Sequence, residues 1–519
     1  MNGQAIVNGM VVSRNPADGS ELGRIPVSTP EQVREAVARA RKAAAGWGAR
    51  SFKERGAMLA QVRDRLLARA DTVAALLHKE NGKPQLEAYF AEVIPNLDLF
   101  DFHVANDERL IAPEPVKLSP LNYPGKSGVI EHVPLGVIGL ISPWNYPVSI
   151  PLRTLVPALM AGNAVVFKPS EFAALSGQFI FELFDGILPK DVLVLVQGGG
   201  ETGGALVEAG IDRVVFTGSV ATGKRVGVAA AGRLIPASLE LGGKDPAIVL
   251  EDADLDRAAN GIVWGAFANA GQNCAAVERV YVLEKVAQPF LEKVVAKTKA
   301  LRLTADGPDA EVGPLINEKQ LAIVESQVAD AVAKGATVAA GGHKRSPGYF
   351  FEPTVLTGVN HGMAVMRDET FGPLLPIQVV KSVDEAVELA NDSAYGLTAS
   401  VWSRDLARAK QVAARLACGV ATINNHSFTA AIAEAPWTGV KETGSGVTNS
   451  RSALMEYTRP RFTLVDKSKE RLELWWFPYT PTLKGLLGGV LQMARRGVGA
   501  KLSAVPKLVP LLKKRMKDA

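Results

Sequence analysis

Only two cysteines occur in 519 residues, and one of them, Cys274, stands in FANAGQNCAAVERV (residues 267–280). Asn273 precedes it, a Gly-Gln pair stands before that, and the neighbours are small. A thiol in so little bulk could serve as a nucleophile, because small neighbours leave a carbonyl room to approach. The reactive form is the thiolate. An ordinary thiol pKa near ~8.5 leaves it mostly protonated at neutral pH, so this use requires an activating group. The commoner fate of a lone cysteine is buried filler. Cys418, in RLACGVATIN between the end of a helix at Gly419 and an apolar strand, fits that second reading.

Five other stretches place polar groups where chemistry could use them. ISPWNYP puts Asn145 in a Pro-flanked turn directly after an apolar run. FKPSE sets Lys168 and Glu171 at the end of the next run. FTGSVATGK places Gly218 and Ser219 between a strand and a helix. LELGGKDP delivers Glu240 just before a glycine pair, and ETFGP offers Glu369. Strand ends and turns of this kind are where a doubly wound sheet holds its ligands. Taken singly, each has a plain structural explanation: a solvated loop pair, a turn cap, a bend. GSVATG lacks the three-glycine dinucleotide fingerprint, and it lacks the Lys-Ser/Thr ending of a phosphate-gripping loop. The weight lies in their joint occurrence.

The elements that must carry these residues are legible from pattern. STPEQVREAVARARKAAAGW opens with Thr29, Pro30 and Gln32, a capped helix start, and continues as an amphipathic helix. From Gly136 the runs GVIGLISP, NAVVFKP, VLVLVQG and RVVFTGS are short, β-rich and nearly continuous in apolar residues. Helical stretches near 151–161, 171–187, 202–209 and 221–231 separate them. Strands buried on both faces and alternating with helices predict a parallel sheet between helical layers. A second alternating region from Pro246 holds PAIVL, RVYVLE, ATVAAGG and GVATIN as strands. Segments 112–132 and 456–466 read as extended and could pair as a small separate sheet. No solenoid-period repeat is present.

Composition narrows the class. At 47% hydrophobic and 21% charged, the chain is that of an ordinary folded protein, and two cysteines form no disulfide framework, which points to a reducing compartment. The N-terminus shows no basic region followed by an apolar core, and no window reaches the roughly 18 apolar residues of a spanning helix. The six histidines show no metal-ligand spacing, so no metal site is expected. The net charge of +5 is uneven: residues 466–519 hold twelve Lys/Arg against four Asp/Glu, so the preceding 465 residues carry about −3. The basic character belongs to the tail and gives the body no reason to bind nucleic acid.

PWNYP, KPSE, FTGS, LELGGK, GQNC and ETFGP occur together in the order and spacing of the aldehyde dehydrogenase superfamily, which the chain resembles over roughly residues 10–465. The resemblance implies an α/β fold of two doubly wound domains plus a small oligomerisation β-sheet. By that likeness, 1–111 and 133–245 form the nicotinamide-binding domain, 246–450 the catalytic domain, 112–132 and 451–466 the oligomerisation sheet, and 467–519 a basic amphipathic extension. It implies NAD-dependent oxidation of an aldehyde to an acid by a homodimer or homotetramer, with Cys274 as nucleophile. Asn145 and the Cys274 N–H would stabilise the oxyanion, and Glu240 would activate the water that hydrolyses the thioester. Lys168 and Glu171 match the positions that hold the adenosine ribose, which favours NAD over NADP because a carboxylate repels a 2′-phosphate. Ser219 would face the pyrophosphate, Glu369 the nicotinamide ribose with Phe371 beside it. Ser142, Trp144, Ser170, Gly218, Gly223, Leu241 and Gly242 complete the implied cofactor site. PWTGVKETGSG (436–446) resembles the family's glycine-rich stretch near the substrate mouth, with Trp437 and Thr438 as local variations. A CoA-acylating relative would use CoA in place of water, and Glu240 argues against it.

The aldehyde itself is less legible. Arg153, eight residues after Asn145, stands where succinate-semialdehyde dehydrogenases also place an arginine, and it could bind a substrate carboxylate or be a helix residue paired elsewhere. Beyond Asp466, Trp475, Trp476, Phe477 and Tyr479 cluster near prolines, and Leu483, Leu486, Leu487, Val490 and Leu491 follow at largely helical spacing among basic residues. Such a tail suits either an anionic membrane interface or a neighbouring protein surface. It resembles the extensions of membrane-associated fatty aldehyde dehydrogenases, which implies a medium- or long-chain aliphatic aldehyde and a cytoplasmic enzyme held peripherally on a membrane.

Overall fold

The structure, a computed structural model, describes residues 5–120, 122–307, 310–469, 471–473, 475–494 and 498–515. It forms two compact units. One comprises the chain up to Ala112 together with His132–Arg459, and the other comprises Pro113–Glu131 and the chain from Pro460 onward.

The first unit contains two parallel sheets, as the alternation predicts. In the first, the strand order is Gly444–Ser445, Ala237–Glu240, Arg213–Thr217, Val137–Ile141, Ala164–Lys168, Leu193–Leu195, all parallel except the two-residue strand at the edge. The chain turns back between Val137–Ile141 and Arg213–Thr217, so a crevice opens at the carboxyl ends of these strands. Side chains alternate across the sheet: Val165 and Phe167 pack into one apolar core, Ala164 and Val166 into the other. The Pro30–Gly48 helix covers one face, and its start is the expected capping box of Thr29 with Gln32. The second sheet runs Thr337–Ala340, Thr354–Thr357, Leu374–Val380, Val277–Leu283, Asp245–Val249, Thr398–Trp402, Val420–Ile423, antiparallel only at its first pair. Cys418 packs half-buried against that sheet's core, in keeping with a filler role.

Three local features differ from the sequence reading. An antiparallel sheet of Ile6–Val7, Met10–Arg14 and Glu21–Pro26 precedes the first helix. The helix expected over 171–187 is a 3-10 turn, Glu171–Ala173, followed by a helix over Ala174–Phe184, because Ala173 leaves helical geometry at φ −139°, ψ 40°. Glu456 ends the Ser450–Glu456 helix, so the extended segment begins at Thr458.

In the second unit, Thr458–Asp466, Lys126–Pro134 and Glu114–Val116 form a three-stranded sheet, the pairing expected of the two distant segments. The tail folds into helices Pro481–Met493 and Val498–Arg515, which pack through Leu486, Met493, Leu508 and Leu511. Arg515 is buried and donates to the carbonyls of Pro478 and Trp476. Trp476, Phe477, Tyr479, Leu487 and Leu491 stay exposed. Arg495, Arg496 and Lys517, part of the basic pattern, lie outside the described residues. Among the described residues, no helix is long and apolar enough to cross a membrane.

Candidate active site

Cys274 follows a tight left-handed turn. The Leu255–Phe267 helix ends, and Asn269 (φ 53°), Ala270 (φ 55°) and Gly271 (φ 71°) then lie in the left-handed region. Gly271 must be glycine, since a Cβ there would sit 2.2 Å from the Gly372 carbonyl oxygen. Side chains hold the turn. Asn269 Nδ2 donates to the carbonyls of Asn145 (2.9 Å) and Gln272 (3.0 Å), and Gln272 Nε2 donates to those of Asn269 and Pro314. Asn273 Oδ1 accepts the Ala275 N–H at 3.1 Å.

Asn145 arrives on the Pro-flanked turn after Val137–Ile141, and its Nδ2 donates to the Gln272 carbonyl at 3.2 Å. Among the described residues this is the one hydrogen bond that its amide donates, and its Oδ1 is buried without a partner. The turn is fixed from below by a wholly buried ion pair. Lys83 Nζ lies 2.8 Å from Glu92 Oε1 and donates to the Asn145 carbonyl at 3.1 Å. Glu92 Oε2 accepts the N–H groups of Val148 and Ser149, at the start of the Ser149–Met160 helix. Removing either partner would strand the other charge, at a cost of about 3–5 kcal/mol.

Glu240 ends the Ala237–Glu240 strand, which pairs on its open edge with Gly444–Ser445. The glycine-rich stretch is therefore a sheet edge. A Cβ on Gly444 would sit 2.2 Å from the Leu239 carbonyl oxygen, and Thr443 Oγ1 donates to the Gly242 carbonyl at 2.9 Å. Trp437 is buried and pairs, with Thr438, against Val447–Thr448.

Cys274, Glu240, Arg153, Leu241 and Trp437 line one cavity of ≈ 580 Å³. Its other walls are mainly apolar, and Leu86, Phe90, Trp264 and Phe428 around it remain 42–69% exposed. Burial pushes the Cys274 thiol well up, and Glu240, Asp245 and Glu369 add to the shift, so it rests protonated. Burial also raises the Glu240 carboxyl to about 7, against the pull of Thr448 and Arg153. Its Oε1 is buried without a hydrogen-bond partner among the described residues. Arg153 donates to Ser149 Oγ at 3.2 Å, and burial lowers its pKa. Among the described residues it forms no ion pair, and it lies on the cavity wall.

A second group of polar side chains gathers at the strand ends of the first sheet. Ser142 N–H donates to the Lys168 carbonyl, and Ser142 Oγ is buried without a partner among the described residues. Lys168 Nζ lies 3.6 Å from Glu171 Oε2. Ser170 caps the following turn by accepting the Phe172 N–H. Ser219 precedes the Val220–Gly232 helix, but its hydroxyl donates to Thr222 Oγ1 and caps no N–H. The first-turn N–H groups and the positive end of that helix are left for an anion. Gly223 has no room for a side chain against Leu241, nor Gly218 against the Phe216 ring. Glu369 Oε1 accepts the Gly243 N–H at 3.0 Å, and a Cβ on Gly242 would strike that carboxylate. Burial, then Glu278, raises Glu369 to about 8. Phe371 lies edge-on to Trp144, with ring centroids 5.4 Å apart. An unpartnered buried hydroxyl, a buried ammonium beside one carboxylate and a free helix start fit the hydroxyl and phosphate groups of a dinucleotide.

Several supporting residues escape sequence reasoning. Lys83, Glu92 and Asn269 orient Asn145. Lys244 pairs with Glu278 at 2.6 Å, and Glu278 accepts the N–H groups of Thr370 and Phe371, which fixes the Glu369 loop. An isolated Lys or Glu reads as a solvated charge. The one available signal is Lys244, directly after the glycine pair in LELGGK.

The sequence model of the aldehyde dehydrogenase family matches residues 7–463. The chain is 38% identical to 4,4'-diapolycopene aldehyde oxidase of Methylomonas sp over 495 residues, 94% of this chain and 93% of that one. It is 39% identical to a putative succinate-semialdehyde dehydrogenase [NADP(+)] of Mycolicibacterium smegmatis over 448 residues, 85% of this chain and 86% of that one. Among solved structures, PnpE of Pseudomonas sp. WBC-3 in complex with nicotinamide adenine dinucleotide superposes with a TM-score of 0.86 at 32% identity, covering 90% of this chain and 96% of that one. The chain belongs to the aldehyde dehydrogenase family and is an NAD(P)-dependent aldehyde oxidoreductase.

Proposed function

We propose that Cys274 is the nucleophile, Asn145 the side-chain oxyanion donor and Glu240 the general base in the oxidation of a long, apolar aldehyde. The observation that carries this reading is the shared cavity: a thiol and a carboxyl of raised pKa on its lining, among mainly apolar walls and exposed apolar side chains. A carboxyl near 7 is half ionised at neutral pH and is matched to taking a proton from the thiol or from water. The thiolate then bonds to the aldehyde carbon, and the oxyanion faces the Asn145 side-chain amide and the Cys274 N–H. Such a donor contributes about 2.7–4 kcal/mol to lowering the barrier. Nicotinamide, when bound, supplies the hydride acceptor. The acyl group left on Sγ is released by water from which Glu240 removes a proton.

Ser142, Trp144, Lys168, Ser170, Glu171, Gly218, Ser219, Gly223, Leu241, Gly242, Glu369 and Phe371 form the proposed cofactor site, with Glu171 directing the preference to NAD. Residues 1–111 and 133–245 are assigned to cofactor binding, 246–450 to catalysis, and 112–132 with 451–466 to assembly of a homodimer or homotetramer. The exposed aromatics and basic residues of 467–519 suit attachment to an anionic membrane surface, where apolar aldehydes concentrate. The relative from Methylomonas, named for an extended apolar aldehyde, supports the substrate class. A second reading, a semialdehyde with its carboxylate on Arg153, is favoured by the cation's place on the cavity wall and by the name of the mycobacterial relative.

The test is NADH formation at 340 nm across aldehydes of rising chain length, aromatic aldehydes and succinic semialdehyde, with and without CoA. Preference for long apolar chains without CoA is expected. A preference for the semialdehyde would replace the first reading with the second. Cys274→Ala is expected to abolish turnover while NAD binding survives.

A further inference from the structure

The proposed mechanism leaves a half-buried acid on the cavity wall without a task. Glu87 belongs to the short Gln85–Ala88 helix, which runs directly into a π-helical turn, Tyr89–Val93. Its Oε2 accepts the Asn269 N–H at 3.0 Å, across 182 residues of chain, and its Oε1 is buried with no partner among the described residues. Burial raises its pKa.

That contact falls on the most strained backbone near Cys274. Asn269 and Ala270 occupy left-handed geometry in succession, and Ala270 has neither the side-chain hydrogen bond nor the missing Cβ that eases it. Each such residue costs of order 1–2 kcal/mol, so surrounding contacts must impose the turn. The carboxyl also stands at the C-terminal end of the Leu255–Phe267 helix, where the helix dipole opposes a negative charge. Helix electrostatics therefore give no reason for an acid here, whereas the Asn269 N–H that it accepts does. From Asn269 the constraint passes through its side chain to the Asn145 carbonyl and the Gln272 carbonyl, and the latter holds the Asn145 amide.

The geometry points to Glu87 as a positioning residue: as a hydrogen-bond acceptor it pins the left-handed turn at Asn269 and so sets the mutual orientation of Cys274 and Asn145. The inference rests on the reading of Cys274 as nucleophile, which Cys274→Ala tests separately. Turnover without Cys274 would overturn that reading, whereas the results below can fail with Cys274 intact.

Full-length protein is assayed with NAD and decanal in rapid mixing, and Cys274 reactivity is followed with iodoacetamide. Glu87→Ala is expected to slow both the NADH burst and alkylation by about tenfold or more, with NAD binding unchanged, because small misplacements of reacting groups are amplified in rate. Glu87→Gln keeps an oxygen for the same N–H and is expected to restore both rates to within about threefold, the scale of a neutral substitution. Wild-type rates in Glu87→Ala would overturn the inference. So would a Glu87→Gln as slow as Glu87→Ala, which would make charge and not the acceptor the operative property. If Glu87→Ala does not fold, hydrogen exchange over residues 266–276 in Glu87→Gln decides: wild-type protection supports the clamp, and lost protection overturns it.

Discussion

At the scale of the residue, Cys274 and Glu240 share a cavity wall but hold their protons with different strength. The Cys274 thiol is pushed far above neutrality, while Glu240 sits at about 7, so Glu240 is the group that changes charge in the working range. Thioester hydrolysis should rise with pH and level off above about 7, and at pH 6 it should fall about tenfold below the plateau. The folded carboxyl holds its proton more tightly than an unfolded one, so its cost to stability is absent below 4.5, grows up to about 7 and stays constant above. Glu240→Gln should therefore have a higher Tm than wild type at pH 8, seen by calorimetry. In kinetics it should still give one equivalent of NADH and then stall, and loss of that first turnover would place Glu240 at thiol activation instead. Glu171 makes a second prediction. Its carboxylate lies at the rim of the Lys168 site, half-exposed, where a 2′-phosphate would meet it. Glu171→Ser should raise kcat/KM for NADP relative to NAD by about tenfold, the worth of one relieved charge contact. Equal wild-type use of both cofactors would contradict the assignment.

At the scale of the element, the cavity mouth is built from three separate segments. Leu86 comes from the Gln85–Ala88 helix, Phe90 from the π-helical turn Tyr89–Val93, Trp264 from the Leu255–Phe267 helix, and Phe428 from the 3-10 turn Phe428–Ala431. Large apolar groups left open on several elements around one cavity have a common use as a landing for an apolar chain. Phe90→Ala and Trp264→Ala should each raise KM for decanal about tenfold, since burying an aromatic contributes ~1.5–3 kcal/mol, and leave propanal unchanged. Equal effects on both aldehydes would remove the rim from specificity. This rim illustrates what a sequence reveals. Strands such as Ala164–Lys168 are legible because burial on both faces demands an unbroken apolar run, and the capped Pro30–Gly48 helix is legible from Thr29, Pro30 and Gln32. Cys274, Glu240 and Asn145 stand out as candidates because motif order survives without coordinates. Phe90 and Trp264 are not, because an exposed aromatic and a buried one look alike in an amphipathic stretch. Lys83 and Glu92, nine residues apart, are hidden for the converse reason: a charge is presumed wet until its surroundings are known.

At the scale of the whole molecule, charge divides as structure does. The body up to residue 465 is slightly acidic and the tail carries +8. In the second unit Lys484, Lys513 and Lys514 accompany exposed Trp476, Phe477, Tyr479 and Leu491. Full-length protein should sediment with anionic liposomes, and a chain stopped after Asp466 should not, with salt weakening the effect, because each basic residue near such a surface contributes about 1 kcal/mol. Equal binding by both, or none by either at low salt, would assign the tail to protein contacts. The Gly444–Ser445 strand carries a further consequence, one of timing. It closes the open edge of the strand that ends in Glu240, yet it lies some 200 residues downstream. A ribosome adding ~5–20 residues each second needs roughly 10–40 s to deliver it. A parallel sheet formed in that interval would present a bare edge, the surface most prone to pair with a neighbouring copy. The strand that covers this edge is thus also the one that would close it against self-association during synthesis.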